Sequence, residues 1–472
     1  MKTLLLIAMF SLVQPAAAES TQTSEAPTLG SNNQVAQIFT TPALNQIILK
    51  LEAGLAQAQA EQGVIPHSAA DAISRVAVPE NIPQQAIDEE YARVRHRMVA
   101  LLNVLRRSLG ESDADYLHYG ATTVDLYDSA RMLQVRASTY AFIEDLRTLE
   151  LQLIKLAQEH KHTPMIGRTL GQHALPITFG KKVSGWIGEN RRHINRLSDL
   201  LERIERSVIM KGAVGSYLGL GPKGREVELS LAKELGLPRP YPDDWHASRD
   251  VFAEYANTLA LISRSYGRLG QEIFLLQMND ISELVEVRPA SVVGSSTMPH
   301  KNNPSRSSAL RQHARLVPRL AEVVGDDMIN YFERDNTSRP NRVLEGISLE
   351  TEELLEDASE LIARLDIDED QMRENLKTSH GWILTQRLAF ALGEKIGREH
   401  AEIRLRSLAE QAKESDISLR EAIEADPELS RVLPQDQLEV LFKPETYLGL
   451  DAELIDAVIA EAMASRAKDP HL

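Results

Sequence analysis

The chain of 472 residues contains no cysteine, and this absence excludes several kinds of chemistry. Disulfide bonds, thiol nucleophiles and cysteine-ligated metal sites all need a thiol. Aromatic residues form only 5% of the sequence, whereas hydrophobic residues form 43%, enough for two or three packed cores. Positive charge is also scarce, because 52 basic residues stand against 68 acidic ones and leave a net charge of −16. This balance argues against a nucleic-acid partner, so an anionic ligand must be attracted by its own site.

Long apolar runs are absent, and the one short run lies at the N-terminus. Lys2 precedes an apolar stretch from Leu4 to Val13, and Ala16 to Ala18 provide small residues before Glu19. This order is typical of a secretory signal peptide, and the stretch is too short to span a bilayer. We therefore expect residues 1–18 to be cut off after Ala18, and the mature protein to be exported to the periplasm with no membrane partner.

Helical periodicity runs through almost the whole chain. Apolar residues recur at steps of three and four, as one face of a helix requires. The longest such stripe comprises Phe252, Tyr255, Leu259, Ile262, Tyr266, Leu269, Ile273 and Leu276. The pattern predicts an all-α protein with an N-terminal unit at 19–125, a central helical bundle at 126–364 and a C-terminal unit at 365–472.

Residues 294–304 read Gly-Ser-Ser-Thr-Met-Pro-His-Lys-Asn-Asn-Pro, which no packing demand explains. We expect Gly294 to give the backbone conformations closed to other residues, while Pro299 stiffens the turn. Ser295 offers a potential nucleophile or base, and Lys301 and Asn303 offer a cation and a neutral donor. The combination predicts a reaction loop for a substrate that carries carboxylates.

This loop resembles the signature of the fumarase/aspartase superfamily, Gly-Ser-Ser-x-Met-Pro-x-Lys-x-Asn followed five residues later by Glu. Two further segments match in the expected order: His118-Tyr119-Gly120-Ala121-Thr122-Thr123-Val124-Asp125, and residues 165–176, Met-Ile-Gly-Arg-Thr-Leu-Gly-Gln-His-Ala-Leu-Pro. The resemblance covers about residues 40 to 460. It implies a three-domain fold with a long central helical bundle, and a homotetramer whose active sites are shared between subunits. We expect the apolar stripe after Asp250 to pack against symmetry mates in this tetramer. No ligand spacing appears among the thirteen histidines, so we expect no metal and no cofactor.

The resemblance also implies a mechanism. Superfamily members remove a proton from carbon next to a carboxylate, forming a doubly charged aci-carboxylate that needs strong stabilisation. By its position Ser295 would be the base. By the same matching, the substrate-binding residues would be His96, Thr122, Thr123, Arg168, Thr169, Gln172, Ser296, Met298, Lys301, Asn303 and Arg334. For His96, which stands between Arg95 and Arg97, a solvated run of charges on a helix is an equal alternative.

Two departures from the superfamily pattern bear on the second proton. Leu170 stands where most of these lyases have His, and Ser308 stands where the partner Glu is expected. A His and the carboxylate that orients it act as a unit, so the loss of both indicates another route. His118 is our first candidate for this proton transfer and His173 our second, with solvent as the remaining alternative.

The double absence resembles the 3-carboxy-cis,cis-muconate cycloisomerase branch, which adds a carboxylate oxygen across a double bond. We therefore favour a cycloisomerase-like enzyme acting on a small anionic polycarboxylate. A lyase that releases fumarate from a succinyl compound, similar to adenylosuccinate lyase, is the alternative. A non-catalytic paralogue is a third possibility, against which the retained Ser295, Lys301 and Asn303 argue.

Overall fold

The computed structural model describes residues 34–243, 245–289, 291–334, 340–415 and 417–470. The predicted signal peptide at 1–18 lies outside these described residues. Helices dominate, and the all-α prediction is confirmed, with two small two-stranded sheets beside them. No helix in the described ranges combines the length and the apolar character needed to cross a bilayer.

The N-terminal helices pack around α2, which is 21 residues long. Its apolar stripe is buried at Ile48, Leu51 and Leu55. Their core also includes Leu126, at the start of the next helix, so the first unit leans on the beginning of the central bundle. The helices are α1 Gln34–Ile38, α2 Thr41–Glu61, α3 His67–Val76, α4 Gln84–Val94, α5 Arg97–Arg106 and α6 Glu111–Ala114.

The central bundle is built from long helices that share the largest hydrophobic core. Within it α10 and α11 approach closely, because Gly267 faces Ala314 and Gly270 faces Leu310, where an added Cβ would collide. This approach fixes the first turns of α11 and hence the end of the signature loop. The helices are α7 Thr123–Glu159, α8 Phe179–Arg206, α10 Asp250–Leu276, α11 Ser305–Asp326 and α12 Pro340–Ala363. The shorter α9, Gly224–Glu234, follows α8 in the chain but buries Val227 and Leu231 in the N-terminal core.

The long stripe on α10 is buried inside the single chain. All eight of its side chains, from Phe252 to Leu276, belong to the central core. The expectation that this stripe would pack against symmetry mates is therefore wrong, because other helices of the same chain already cover it. The exposed apolar side chains of the neighbouring surface are Leu261 and Leu275 on α10 and Leu316 and Val323 on α11.

Two short sheets contain or adjoin the remaining motifs. Strands β1 (Pro164–Thr169) and β2 (Gln172–Thr178) form an antiparallel hairpin with a bulge between Ile166 and Arg168. Strands β3 (Leu284–Glu286) and β4 (Leu365–Ile367) pair antiparallel, with Glu286 opposite Leu365. The second sheet holds the segment that leads into the signature loop.

The C-terminal helices form their own small core, but the last helix leaves it. Ile455 and Ala462 of α19 belong to the central core. Beyond α19, Asp469 pairs with the buried Arg191, which also binds Glu150. The predicted boundaries near residues 125 and 365 remain predictions. The helices are α13 Glu369–Lys377, α14 Thr385–Ile396, α15 Arg398–Ser415, α16 Leu419–Ala425, α17 Leu429–Val432, α18 Gln435–Leu441 and α19 Asp451–Arg466.

Candidate active site

Thr122 and Thr123 lie at the N-terminus of α7, the longest helix. The buried Asp125 carboxylate accepts the Thr122 backbone N–H at 2.9 Å, which fixes the entry into the helix. It also accepts the backbone N–H groups of Lys211 and Gly212, both at 3.0 Å. Because a helix N-terminus carries partial positive charge and unpaired N–H groups, the two hydroxyls stand where a carboxylate is favoured.

His118, just before these threonines, is held by a carboxylate that lies far away in the sequence. Its Nδ1 is 2.6 Å from Oε1 of Glu52, which is buried on α2. Burial alone would lower the pKa of His118, but the hydrogen bond and charge of Glu52, with a contribution from Asp125, outweigh it and raise that pKa. A histidine of this kind can donate a proton at neutral pH.

The backbone around His118 is held tightly. His118 has φ of 62°, a left-handed conformation that costs free energy in a non-glycine residue. The neighbouring Gly120 touches the Gly219 backbone so closely that a Cβ on either residue would collide. The Gln59 side chain donates to the Tyr119 carbonyl at 2.7 Å. These contacts fix the loop that presents the imidazole.

The β1–β2 hairpin carries the second motif and ends in a two-residue turn. Thr169 and Gln172 form its last pair, and Leu170 and Gly171 between them both have positive φ, as a type I′ turn requires. The Leu170 side chain is fully exposed at the tip. Thr169, Gln172 and the runner-up acid His173 are exposed as well. In the single chain this motif therefore points to solvent.

Arg168 already has a partner inside the chain. Its guanidinium makes two hydrogen bonds, of 2.7 and 2.9 Å, to the buried carboxylate of Glu283. Asn375 donates to the same carboxylate at 2.9 Å. This bidentate pair connects the hairpin to the segment after α10. Arg168 therefore has a structural role in this chain and is not a free cation.

A hydrogen bond from one of its own side chains connects the start and the end of the signature loop. The Asn303 amide donates to the Gly294 carbonyl at 2.8 Å, joining the two ends of the loop. Inside the loop, Ser295 Oγ accepts the Met298 N–H at 3.2 Å. Lys301, Met298 and Ser296 have exposed side chains. Ser295 is thus positioned within a closed loop whose outer face is open.

The surroundings of Gly294, and not the conformational freedom expected from the sequence, account for a glycine at this position. Its φ does not lie in the left-handed region, so conformational freedom does not explain it. A Cβ on Gly294 would instead come within 1.5 Å of Nη1 of Arg288, because the guanidinium occupies that space. A larger residue here would force this guanidinium, the end of a flexible side chain, to move.

The start of α11 is anchored to strand β3 through Glu286. Its carboxylate accepts the backbone N–H groups of Arg306 at 2.9 Å and Ser307 at 3.2 Å, and the Ser307 hydroxyl at 2.6 Å. The side chain of Asn302 donates to the Glu286 carbonyl at 3.1 Å. Glu286 thereby satisfies helix N–H groups that would otherwise lack partners.

His96 and Arg334 lie apart from these motifs along the chain. Arg95 ends α4 in a left-handed conformation and Arg97 begins α5, so the basic trio forms a turn between helices. A charge run within one helix is therefore the wrong description. The His96 Nδ1 accepts the Val99 N–H at 3.3 Å. Arg334 is exposed, next to residues 335–339, which lie outside the described part.

One group of side chains has the composition of a metal site. His313, Glu350 and Glu353 bring their ligand-type atoms within 4.8 Å of one another. However, His313 Nδ1 is bonded to Glu350 at 2.9 Å, and Nε2 lies 3.4 Å from Asp357. Burial opposes protonation, but these two carboxylates outweigh it and raise the pKa of His313. Both ring nitrogens thus face carboxylates, so the group is described as an ion cluster between α11 and α12.

Two cavities adjoin the motifs. One of about 420 Å³ lies between the hairpin tip and the segment with Ser379, Trp382 and Ile383. Another, of about 610 Å³, follows the exposed face of α11 from Ser308 past Arg311 to Arg315. They share no lining residue, so in one chain the hairpin and the signature helix line separate openings.

Three supporting residues of this region were not predicted from the sequence. Glu52, Glu283 and Glu286 support His118, Arg168 and the signature loop respectively. One signal was present for Glu52, since it sits beside Leu51 within the apolar face of α2, where an unpaired carboxylate is costly. The other two lie in short irregular segments that show no periodicity.

Known proteins are similar to this chain over most of its length. The family described as Lyase matches residues 28–318, and the family described as Adenylosuccinate lyase C-terminus matches residues 381–458. An N-acetyl-S-(2-succino)cysteine lyase of Enterococcus italicus is 34% identical over 419 residues, covering 87% of this chain and 90% of that protein. A 3-carboxy-cis,cis-muconate cycloisomerase of Pseudomonas aeruginosa is 33% identical over 431 residues, covering 90% and 93% respectively.

The fold is similar as well. The crystal structure of the 3-carboxy-cis,cis-muconate lactonizing enzyme from Pseudomonas putida superposes with a TM-score of 0.83 at 30% identity, covering 91% of this chain and 97% of that chain. The chain therefore belongs to the lyase family within the fumarase/aspartase superfamily, and is a lyase or cycloisomerase.

Proposed function

We propose that the chain interconverts an unsaturated polycarboxylate and its lactone, as a cycloisomerase. In the ring-opening direction, the Ser295 alkoxide takes the proton from the carbon next to a carboxylate. The electron pair of the C–H bond moves into that carboxylate and forms the aci-carboxylate. When the pair returns to form a carbon–carbon double bond, the neighbouring C–O bond breaks and the ring oxygen leaves as a carboxylate.

The observation that carries this proposal is the exposed turn at Leu170. The side chain at this position is a hydrocarbon, and Ser308 stands where its carboxylate partner would be. A leaving carboxylate, whose conjugate acid has a pKa of about 4, departs as an anion without being protonated. Loss of the usual acid pair is therefore tolerable when the leaving group is a carboxylate, and costly when it is an amine.

A second candidate follows from the same argument. A thiol has a pKa of about 8.5, so a thiolate also leaves with little help. One of the relatives is an N-acetyl-S-(2-succino)cysteine lyase. A lyase that releases fumarate and a thiol from a succinyl thioether is thus the alternative, and there His118, held by Glu52, would supply the proton.

The test is a panel of substrates offered to the purified protein and followed by ultraviolet absorbance. It contains a carboxymuconate, a succinyl thioether, and a succinyl amine. Turnover of the carboxymuconate supports the first proposal, and turnover of the thioether the second. Preference for the succinyl amine would contradict the leaving-group argument. No turnover of any of them would favour the non-catalytic paralogue.

We also propose that the enzyme works as a homotetramer with shared sites. The apolar side chains left exposed on the bundle support this assembly. Leu261 and Leu275 on α10, and Leu316 and Val323 on α11, are separated by seven residues or a multiple of seven, which keeps each pair on one helix face. The hairpin tip also points to solvent in the single chain, as a motif would that completes a partner's site.

Export to the periplasm is a separate proposal, supported by the composition of residues 1–18. Expression of the full chain followed by cell fractionation and N-terminal sequencing tests it. A mature N-terminus at Glu19 in the periplasmic fraction is expected. An uncut chain in the cytoplasm would contradict it.

A further inference from the structure

Arg288 lies beside the start of the signature loop. Its guanidinium fills the space next to Gly294, the residue that precedes Ser295. Nη1 is buried, and within the described ranges it has no hydrogen-bond partner. No carboxylate of the described part lies within ion-pair distance of this guanidinium either. A buried cationic nitrogen without a partner is costly, which indicates that negative charge arises beside it during function.

We propose that Arg288 is a positioning residue for Ser295, supplying the positive charge that favours its alkoxide. This inference rests on the proposed function, in which Ser295 is the base. The carbon acid is very weak, so the hydroxyl must lose its own proton before it can act. An opposite charge within about 4–6 Å lowers the pKa of an acid by roughly 1–3 units. Arg288 therefore raises the fraction of Ser295 that is ready to react at neutral pH.

Lys301 is the obvious rival for this role, because it lies in the same loop. Its side chain is exposed, and its backbone N–H is bonded to the Met298 carbonyl at 3.0 Å. A solvated ammonium on the outer face suits a substrate carboxylate better than the serine. Arg288 is the cation that contacts the loop at Gly294, one residue before Ser295.

Other charged groups around Arg288 are paired or exposed. Glu286, the last residue of strand β3, is occupied by the first N–H groups of α11. On α11, Arg306 pairs with Asp357 and Glu360 of α12. The exposed groups on the loop and on the neighbouring strand β4 and its approach are His300, Lys301, Arg364 and Asp366.

The test is the pH profile of kcat/KM for Arg288→Met and Arg288→Lys on a substrate identified in the panel. For Arg288→Met, the rising limb should move to higher pH by about 1–2 units, which corresponds to a 10- to 100-fold loss at neutral pH. The rate should recover towards the wild-type value at high pH. Arg288→Lys, which keeps the charge, should shift much less. Arg364→Met, which removes an exposed arginine whose carbonyl accepts the Val287 N–H, is the matched control and should not shift.

A purely structural role predicts a different result. Loss of packing would lower the rate of Arg288→Met equally at every pH, and this outcome overturns the inference. Melting temperature and circular dichroism show whether the variants are folded. If Arg288→Met is not folded, the pH profile of the folded Arg288→Lys still decides the test. Gly294→Ala displaces the guanidinium, so it should reproduce the shift and add nothing to Arg288→Met in the double variant.

The variants distinguish failure of the proposed function from failure of the role given to Arg288. If Ser295→Ala retains turnover, the proposed function fails whatever Arg288 does. If Ser295→Ala is inactive and Arg288→Met keeps the wild-type pH profile, only the role of Arg288 is wrong.

Discussion

Glu52 and His118, 66 residues apart in sequence, form a carboxylate–imidazole pair with a 2.6 Å contact. Oε2 of Glu52 is buried and has no hydrogen-bond partner among the described residues, so the carboxylate is committed to this one contact. The chain thus lacks the usual acid pair at Leu170 and Ser308, but contains a histidine and a carboxylate on another loop. The pair has the arrangement of an oriented acid, in which one ring nitrogen is held and the other is presented.

Replacement of Glu52 by Gln should act through His118. Without the carboxylate, the pKa of His118 falls, so its protonated form is lost at lower pH. On a succinyl thioether, for which His118 supplies the second proton, the falling limb of the kcat profile should move to lower pH, and turnover at neutral pH should drop roughly 10- to 100-fold. Glu61→Gln, an exposed position on the same helix, serves as the control. An unchanged falling limb in Glu52→Gln would show that the pair is only structural.

On a succinyl thioether, His118→Gln should lower turnover but leave Ser295-dependent exchange of the carbon-bound hydrogen, because only the proton transfer to the leaving thiolate is removed. The drop in kcat on the thioether should be on the order of 100-fold or more. On a carboxymuconate, whose carboxylate leaves without a proton, turnover should change little. Deuterium exchange followed by NMR, beside the turnover assay, separates the two steps. If His173→Gln has this effect instead, the role belongs to His173. If neither matters, solvent is the donor.

Mixing two variants that are each inactive on a succinyl thioether tests whether sites are shared. If Ser295 and His118 of one site come from different subunits, hybrid tetramers of Ser295→Ala and His118→Gln contain some intact sites. Random exchange at equal concentration should restore about a quarter of wild-type activity, since each required residue is present half the time. Light scattering should show a tetramer throughout. No recovery after verified subunit exchange, or an active monomer, would rule out shared sites.

Asp145 should make stability depend on pH. Burial, together with the charges of Glu352, Glu356 and Glu144, raises the pKa of Asp145 from 3.8 to about 7. The folded state therefore holds this proton more tightly than the unfolded chain, and stability falls as pH rises from about 4 to 7.

Asp145→Asn removes the ionisation, so it should stabilise the protein at pH 8 by on the order of 2–4 kcal/mol. Melting temperatures measured from pH 5 to pH 8 check this. The difference between variant and wild type should grow with pH, whereas exposed Asp88→Asn should give a small, constant difference. A constant difference for Asp145→Asn would contradict the burial argument.

Periodicity predicted the helices well because it reports burial directly. The α10 stripe from Phe252 to Leu276 lies in the core, as a 3.6-residue repeat demands. Periodicity could not say what covers that stripe, and for this reason the expected partner, a second subunit, was wrong. A repeat identifies a buried face but not the chain that buries it.

The site could be predicted only in part. Motifs located Ser295, Thr122 and the segment 165–176, because their residue types are improbable elsewhere, but they did not predict that this segment folds as a hairpin. They did not reveal Glu52 or Arg288, since such supports depend on contacts between distant segments. Gly294 shows the limit well: its place in the motif was clear, but its reason, room for a guanidinium, exists only in three dimensions.

The most direct test of the account is turnover by Ser295→Ala on a substrate identified in the panel. The variant should keep the wild-type melting temperature and oligomer, while kcat/KM falls about 1,000-fold or more and exchange of the carbon-bound hydrogen stops. Ser291→Ala, an exposed serine just before the loop, should behave as wild type. Near-normal turnover by Ser295→Ala would contradict the assignment of Ser295 as the base.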